Sequence, residues 1–341
     1  MERIGLVGLP NAGKSTLFNA LTGADTLVAA HPFSTTETSV GIAQVADERL
    51  DRLAEMSESK KVVRTGVEVT DIAALVPGAS TGEGLGNRFL GSLREVDAIA
   101  YVLRAFEDPN VVGDTDPSAD LETLELELVL ADLGSVQGSI DRRRKAARAD
   151  KSLAGEIVAL EHALSTLEEG VPLYRSGLST EEREALAPSF LLTTKPVLHV
   201  VNIGEDQIER GSEIASAVTG EGALAVCGQL EAEAARLDPS ERGELLEGLG
   251  LGEGVVGRVA RAAYHLLGRR TFFTTGDKES RAWTFRAGAK APECAGVIHS
   301  DLQRGFIRAE VIHWDELLAI GSWAKAKELG KLRVEGKEYE P

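Results

Sequence analysis

Runs of apolar residues alternate along the chain with polar, glycine-containing segments, which predicts an α/β fold with a mostly parallel sheet. The first run, IGLV at residues 4–7, leads into a glycine-rich loop, and the TLFNAL that follows predicts a helix. Similar runs predict strands at 39–45, 67–71, 197–201 and 223–226. The loops after these strands are where we expect the functional residues.

Two amphipathic stripes interrupt this pattern within residues 118–189. Apolar residues recur there at steps of three and four, the spacing of a coiled coil. They are Leu126, Val129, Leu133, Val136 and Ile140, then Leu153, Ile157, Leu160, Leu164 and Leu167. The sequence predicts an inserted antiparallel helical hairpin with the basic segment Arg142–Arg148 at its tip. That tip is either a solvated turn or a contact for the phosphates of RNA or the ribosome.

Short strands and a helix are predicted after about residue 270. The segments RTFFTT, RAWTFRAG and FIRAEVIHW are typical of strands, and a helix is expected near CAGVIHSDLQRGF. We interpret Trp283, Phe285 and Trp314 as core residues rather than base-stacking residues. This C-terminal segment therefore reads as a separate module without catalytic chemistry.

Length and charge narrow the class of protein. A chain of 341 residues is expected to hold two or three domains. Its net charge of −17 argues against non-specific attraction to nucleic acid over the whole surface. Two distant cysteines, Cys227 and Cys294, and the lack of a signal or membrane-spanning pattern favour the cytoplasm. Neither a membrane nor a specific DNA partner is indicated.

The strongest motif is GLPNAGKS at residues 8–15, which has the GxxxxGKS spacing of a phosphate-binding P-loop. Glycines let successive backbone N–H groups point inward around a phosphate, and the helix N-terminus adds partial positive charge. The side chain of Lys14 would neutralise the β- and γ-phosphates, and the hydroxyl of Ser15 would bind Mg²⁺. A chance glycine-rich turn is disfavoured, because a strand precedes the motif and a helix follows it. The residues expected at the phosphates are Asn11, Ala12, Gly13, Lys14, Ser15 and Thr16.

Two later loops are candidates for metal binding. Thr35, in HPFSTT at residues 31–36, would complete the Mg²⁺ shell, although an ordinary Ser/Thr loop is the alternative. Asp71 ends the strand VEVTD, where a carboxylate binds Mg²⁺ through water. The metal site predicted from the sequence is therefore Ser15, Thr35 and Asp71.

Two further loops should flank a nucleobase. The strand at 197–201 leads to Asn202, and NIGE at 202–205 stands where a GTPase would have Asn-Lys-x-Asp. The strand at 223–226 leads to Gly228, which would offer its backbone N–H. The predicted base-contacting residues are Asn202, Ile203, Glu205, Gly228, Gln229 and Leu230.

Several of these motifs together resemble one family. They are GLPNAGKSTLFNAL, HPFSTT, DIAALVPGASTGEGLGN, REVDAI, NIGE and RAWTFRAGAKAPECAGVIHSDLQRGFIRAEVI. This set is similar to that of the YchF / Obg-like ATPases, which belong to the P-loop GTPases of the translation-factor class. The resemblance implies a P-loop NTPase G domain at 1–117 and 190–269, split by the hairpin, and a ubiquitin-like TGS domain at 270–341. Ribosome or RNA contact by the hairpin tip and the TGS-like domain is implied as well.

The family also implies the nucleotide, because its members carry Asn-x-x-Glu and prefer ATP. The aspartate of a GTPase accepts two hydrogen bonds from guanine, and adenine offers no such pair of donors. Glu205 shifts that carboxylate by one methylene, which should remove most of the guanine preference. The expected protein is a slow, Mg²⁺-dependent ATPase that acts as a switch. A GTPase of the Obg class and a nucleotide-gated binding module with negligible turnover are the alternatives.

Departures from signalling GTPases and from the family bear on catalysis. Leu75 stands where signalling GTPases keep a water-orienting Gln, and the family shares this change. Ala74 replaces a usual Gly, although its N–H could still meet the γ-phosphate, so Lys14, Asp71 and Ala74 are the expected catalytic residues. Members of the family carry a His after two consecutive valines in the loop that follows Phe-Glu-Asp. Here Val111 and Val112 are followed by Gly113, so His31 is the substitute we propose for assisting hydrolysis. Asn11 could hold a monovalent cation. The last TGS strand of the family is expected to be missing.

Overall fold

The computed structural model describes residues 2–23, 39–75, 78, 85–109, 111, 115–220, 222–252 and 254–341. The strands are β1 Arg3–Val7, β2 Ser39–Gln44, β3 Val62–Val63, β4 Gly66–Asp71, β5 Ala98–Arg104, β6 Val197–Asn202, β7 Leu224–Val226, β8 Arg269–Thr274, β9 Ser280–Arg286, β10 Ala309–Val311 and β11 Arg333–Glu335. The helices are α1 Lys14–Thr22, α2 Glu48–Met56, α3 Leu85–Glu95, α4 Pro117–Ala146, α5 Ala154–Glu168, α6 Thr180–Leu186, α7 Gly211–Thr219, α8 Gly228–Ala234, α9 Pro239–Gly248, α10 Gly254–Leu266, α11 Ala291–Ile298, α12 Ser300–Arg304, α13 Trp314–Ile320 and α14 Trp323–Glu328.

The chain forms two compact units, residues 1–43 with 68–259 and residues 44–67 with 260–341. A six-stranded sheet of order β2-β4-β1-β5-β6-β7 carries the first unit. Strand β1 pairs in parallel with β4 and β5, β5 with β6, and β6 with β7. All seven residues of β5 are buried, as expected for a central parallel strand. The carboxyl ends of these parallel strands meet at one edge of the sheet, so the loops after β1, β4 and β6 converge there.

The prediction of an inserted pair of long helices agrees with the structure. Asp116 is the N-cap residue of α4: its carboxylate accepts hydrogen bonds from Ser118 N and Ala119 N, and Pro117 occupies the first turn of the helix. Its N-terminal half packs Leu121, Leu124 and Leu128 into the core beside the sheet. Its C-terminal half packs on α5 in a second core that contains Val129, Val136, Ile140, Ala159, Leu160, Ala163 and Leu167.

The predicted stripe was wrong at Leu126, whose side chain is 51% exposed. The reason is that the N-terminal half of α4 faces the sheet rather than α5, so its buried face runs through Leu121, Leu124 and Leu128. The face that contacts α5 begins only at Val129. One helix therefore serves two cores with different faces.

The buried carboxylate of Asp132 fastens α4 to the segment that precedes β6. It is 1% exposed and accepts hydrogen bonds from Leu192 N (2.9 Å), Thr193 N (2.7 Å) and Thr193 Oγ1 (2.7 Å). Burial raises the pKa of this carboxyl group, and the hydrogen bonds from Thr193 and Leu192 act in the opposite direction. The chain is thus fixed to α4 just before β6 begins.

The second unit joins two segments that are distant in sequence. Strand β3 pairs in parallel with β9, and β8 pairs with β9 as an antiparallel neighbour, so residues 62–63 complete a three-stranded sheet. Ser59 Oγ donates to Gly276 O at 2.6 Å, and Leu53 packs against Leu317 and Ala326. The G-domain segment predicted at 1–117 therefore differs from the observed division into two units. Residues 44–67 pack with residues 260–341 instead.

The C-terminal elements differ in part from their predictions. The helix expected near 294–306 is two helices, α11 and α12, and the strand expected over FIRAEVIHW is limited to β10. Phe285 is buried, whereas Trp283 is only partly buried, stacks on Phe272 and lies under the guanidinium of Arg281. Trp314 is partly buried beside the core formed by Leu53, Leu317 and Ala326. Among the described residues, no helix has the length and apolar character needed to cross a membrane.

Candidate nucleotide site

Two glycines of the loop after β1 have no room for a side chain. A Cβ on Gly8 would lie 2.5 Å from the carbonyl oxygen of Val102 on β5. Gly13 has a φ of 85°, and its Cβ would lie 2.1 Å from Asn202 Nδ2. Both glycines are therefore required for the loop to close tightly over the sheet edge. Asn11 also adopts a positive φ of 64°, a conformation that Asn tolerates better than most residues.

Helix α1 presents its N-terminus at this loop. Its N-cap residue is Gly13, which has no side chain to satisfy the first backbone N–H groups. Ala12 is 1% exposed and packs inward, whereas Ser15 and Thr16 are exposed. Uncapped N–H groups and the helix dipole together favour an anion at this position. The cradle therefore fits a phosphate group.

The side chain of Lys14 folds back over the loop. Its Nζ donates to Gly8 O and Leu9 O, both at 3.2 Å, and the residue is 7% exposed. Burial lowers the pKa of Lys14, while the nearby charge of Asp71 acts against that shift. Within the described part of the chain, the hydrogen-bond acceptors of this buried ammonium group are neutral carbonyls, so the group is available to a stronger, anionic acceptor.

Ser15 and Asp71 meet although they lie on different elements. Ser15 Oγ in α1 donates a 2.7 Å hydrogen bond to Asp71 Oδ2 at the end of β4. Burial raises the pKa of Asp71, and the hydrogen bond from Ser15 and the charge of Lys14 reduce that effect. A hydroxyl and a carboxylate at one point are oxygen ligands that suit Mg²⁺. The described residues contain no cluster of three or more His, Cys, Asp or Glu side chains, so a cation here would depend on further oxygen atoms.

Asn202 joins the phosphate loop to the loop after β7. Its Nδ2 donates to Ala12 O at 3.1 Å, and its Oδ1 accepts from Gly228 N at 3.0 Å. The side chain is 4% exposed, so both amide groups are used inside the protein. Asn202 therefore holds two site loops together, and its contact with the edge of a purine base stays a prediction.

The other predicted base residues differ in where their side chains lie. Ile203 is 4% exposed and Leu230 is 8% exposed, and both belong to the hydrophobic core of the first unit. Ile203 N also donates to Val226 O at 2.8 Å, so this N–H group is already used inside the protein. Glu205 and Gln229 are exposed at the rim of the site. The buried side chains result from the register of β6 and α8, which the sequence motif does not reveal.

Two remaining predictions concern the loop after β4 and the first switch. Ala74 is partly buried, and Leu75 is 1% exposed with its N–H donating to Gly8 O at 3.2 Å. The loop after β4 is thus attached to the phosphate loop. Thr35 and the proposed substitute His31 lie outside the described residues.

The sequence alone did not identify Phe106 and Gln207 as site residues. Phe106 follows β5 and lies 3.7 Å from the positions that a Cβ would take on Gly13 and on Gly204. Gln207 binds backbone groups on both sides of this region (Gly204 N and Ala105 O). Gln207 follows a predicted strand, where functional loops are expected, whereas the strand before Phe106 was not predicted.

Comparisons with known proteins agree with this geometry. The family model MMR_HSR1, described as 50S ribosome-binding GTPase, matches residues 3–139. The family model YchF-GTPase_C, described as a protein of unknown function, matches residues 270–340. The two matches cover the phosphate loop and the C-terminal unit separately.

Whole-chain relatives connect those two parts. The ribosome-binding ATPase YchF of Bacillus subtilis is 48% identical over 98% of this chain and 95% of its own length. Its namesake from Escherichia coli O157:H7 is 44% identical over 99% of this chain and 95% of its own. The structure of the Schizosaccharomyces pombe YchF GTPase has a TM-score of 0.84 and 32% identity, covering 100% of this chain and 95% of that chain. The chain therefore belongs to the YchF family.

Proposed function

We propose that this protein is a cytoplasmic, Mg²⁺-dependent ATPase that hydrolyses ATP slowly and associates with the ribosome. The observation that carries the proposal is the junction at Asn202, which links the phosphate loop at Ala12 to the base-side loop at Gly228. Such a junction aligns a phosphate cradle with a nucleobase site. The names of the relatives, which describe ribosome-binding ATPases, support the same reading.

The residues that would hold the triphosphate are those of the loop and first turn of α1. Lys14 would exchange the carbonyls of Gly8 and Leu9 for phosphate oxygens, which are stronger acceptors. Ser15 and Asp71 would hold Mg²⁺, which supplies charge neutralisation at the β- and γ-phosphates. Asn11, exposed at the loop, is also placed to accept a monovalent cation in the same region.

The base-side loop favours adenine over guanine. A GTPase holds guanine with a carboxylate that accepts two hydrogen bonds, and a lysine supports that carboxylate. Here Glu205 is exposed at the start of a 3-10 turn, and Ile203 replaces the lysine with a side chain that points into the core. Without the paired acceptor geometry, guanine loses its advantage.

Slow turnover is expected because Leu75 stands where signalling GTPases have the Gln that orients the attacking water. Leu75 is apolar, 1% exposed, and attached to Gly8 through its backbone. Its side chain offers no group to orient or polarise water, so the rate enhancement would rest on charge stabilisation by Lys14 and backbone N–H groups, including that of Ala74. This observation also favours the second candidate, a nucleotide-gated binding module with negligible turnover.

Ribosome contact is assigned to the hairpin tip and to the TGS-like C-terminal unit. Arg143 pairs with Glu156 and Arg144 pairs with Glu161, each at 2.7 Å, so helix α5 neutralises two of the basic side chains. Arg142, Lys145 and Arg148 are exposed at the same end of the hairpin. These three are the side chains that we expect to meet RNA phosphates. Work at the ribosome would place the protein in the cytoplasm.

Titration of Mg²⁺-ATP and Mg²⁺-GTP into one preparation tests the nucleotide assignment. We expect ATP to bind at least tenfold more tightly (about 1.4 kcal/mol), Lys14→Ala to lose both, and Lys60→Ala, an exposed lysine in the second unit, to keep both. Tighter GTP binding would favour a GTPase of the Obg class. Steady-state phosphate release then separates a slow ATPase from a binding module without turnover.

Cosedimentation with ribosomes tests the partner. The triple variant Arg142→Ala, Lys145→Ala, Arg148→Ala should reduce ribosome binding and its dependence on salt. The matched variant Arg143→Ala, Arg144→Ala removes paired charges and should have the smaller effect on binding. Equal binding by wild type and the triple variant would contradict the assignment of the tip.

A further inference from the structure

Gln207 connects two loops of the nucleotide site through one side chain. Its Oε1 accepts a 2.8 Å hydrogen bond from Gly204 N, in the loop that carries Asn202 and Glu205. Its Nε2 donates a 3.0 Å hydrogen bond to Ala105 O, in the loop after β5. The two loops are otherwise joined by the hydrogen bond from Ala105 N to Asn202 O, at 2.8 Å.

We propose that Gln207 is a positioning residue for the nucleobase: it fixes the loop after β5 against the loop after β6 and so sets the width of the base site. The inference rests on the proposed function, since it concerns the site assigned to ATP. Gln207 itself does not need to touch the nucleotide. It acts through the backbone of Gly204 and Ala105.

A local role in capping the 3-10 turn 205–210 does not account for the geometry. Capping requires only the acceptor oxygen of Gln207, which satisfies Gly204 N at the start of that turn. The amide nitrogen is directed instead to Ala105 O, in the loop after β5. A carboxylate could cap equally well but would offer no donor to Ala105 O. The amide therefore serves the contact between loops.

The residue next to Ala105 shows why this contact matters. Phe106 lies 3.7 Å from the positions that a Cβ would take on Gly13 and on Gly204, so it stands between the phosphate loop and the base loop. Any shift of the backbone at Ala105 moves this ring relative to both. Gln207 holds that backbone from the base side, whereas the phosphate loop is closed by the hydrogen bond from Asn202 to Ala12 O, in which Gln207 takes no part.

This division predicts an effect on the nucleoside half of the ligand alone. Loosening the loops at Ala105 and Gly204 should weaken contacts to the base and ribose. The phosphate cradle at Gly13, Lys14 and Ser15 should be unchanged, because none of its described hydrogen bonds involves Gln207. Binding of Mg²⁺-tripolyphosphate, which has no nucleoside, therefore separates a base-site effect from general damage.

The experiment compares three full-length variants by isothermal titration with Mg²⁺-ATP and Mg²⁺-tripolyphosphate. Gln207→Glu keeps the cap and puts a second acceptor against Ala105 O, and Gln207→Met removes both hydrogen bonds at similar size. Gln137→Glu, an exposed glutamine on α4, is the matched control. We expect both Gln207 variants to bind ATP about tenfold more weakly with tripolyphosphate unchanged, the size expected when a partly buried backbone group loses its partner. KM for ATP should rise while kcat changes less than twofold.

Each other outcome overturns the inference. Unchanged ATP affinity in both Gln207 variants would show that the contact does not position the base. Equal weakening of ATP and tripolyphosphate, or a drop in Tm that Gln207→Glu and Gln207→Met share without a selective loss of ATP, would show a structural role only. Wild-type protein that binds neither ATP nor GTP would overturn the proposed function itself, whereas normal wild-type binding with unaltered variants would overturn only the role of Gln207.

Discussion

Gly13 and Asn202 fit together so closely that the Nδ2 of Asn202 occupies the space where a side chain of residue 13 would begin. The Cβ of an alanine at this position would lie 2.1 Å from that nitrogen. Asn202 cannot simply move away, because its amide binds Ala12 O and Gly228 N. Asn202 therefore ties the phosphate loop to the loop after β7, and a side chain at position 13 is expected to disturb both.

Replacing Gly13 by alanine should damage stability and nucleotide binding together. The alanine variant is destabilised by the positive φ of 85° and by the clash of its Cβ with Asn202. Gly321→Ala is the matched control, since Gly321 has a similar φ of 92° and nothing within 4 Å of its Cβ position. Both variants should lose about 1–2 kcal/mol of unfolding free energy because of the left-handed backbone. Gly13→Ala should lose about 1–3 kcal/mol more because of the clash. Denaturant unfolding measures the difference, and equal losses would contradict the close fit.

The pair formed by Ser15 and Asp71 leads to a prediction about charge. Burial raises the pKa of Asp71, so the folded protein becomes less stable relative to the unfolded chain as the pH rises through that pKa. Asp71→Asn should therefore unfold at a higher temperature than wild type at pH 7 in the absence of nucleotide. A gain near 1 kcal/mol would raise Tm by about 2–4 °C.

The same variant should lose Mg²⁺-dependent ATP turnover, because an amide is a poor substitute for a carboxylate near the cation. The stability gain should shrink as the pH is lowered through the raised pKa of Asp71, because the wild-type carboxyl group then also becomes neutral. Thermal unfolding at pH 7 and at pH 4.5, with Asp51→Asn in the second unit as a control, measures this dependence. A variant that is less stable than wild type at both pH values would contradict the argument.

How far the sequence predicts the site depends on the kind of contact. The proximity of Lys14, Ser15 and Asp71 follows from spacing alone, because parallel strands deliver their following loops to one edge of the sheet. The burial of Ile203 and Leu230 does not follow, since side-chain direction at a strand end or helix start depends on register. Gln207 was missed because its amide nitrogen donates to a backbone oxygen in the loop after β5, a contact that depends on the tertiary structure.

The fold shows the same limit. Five of the six strands in the first sheet and the helical insertion were predicted from apolar runs and periodicity, which are local properties, whereas the central strand β5 was not predicted. The assignment of residues 44–67 to the C-terminal unit depends on the two-residue pairing of β3 with β9, and so short a pairing leaves no periodic signal. The exposure of Leu126 has a similar origin, since only the tertiary packing decides which core each turn of α4 faces.

The buried carboxylate of Asp132 should be the most sensitive single position in the insertion. Asp132→Asn keeps the size of the side chain but replaces one of its two acceptor oxygens by an NH₂ group, which faces either the N–H of Leu192 or the two donors of Thr193. We expect a loss of about 2–4 kcal/mol in unfolding free energy, the cost of leaving buried donors unpaired. Asp141→Asn, an exposed position on the same helix, should change stability by less than about 0.5 kcal/mol. A small effect of Asp132→Asn would show that the segment before β6 is held by other contacts.

His199 on β6 provides a prediction about acid stability. The ring stacks near Tyr101, its buried Nε2 has no hydrogen-bond partner among the described residues, and burial together with the charge of Arg175 lowers its pKa to about 4. The unfolded chain takes up a proton near pH 6.5, so stability should fall as the pH drops from 6.5 toward 4 and level off below that value. The loss of stability through His199 is at most about 3 kcal/mol, reduced by solvent screening because the residue is only partly buried.

His199→Phe should flatten this part of the stability profile measured by denaturant unfolding at pH 4–8, while His265→Phe, at an exposed position, should leave it unchanged. Parallel profiles for wild type and His199→Phe would mean that other groups cause the acid sensitivity.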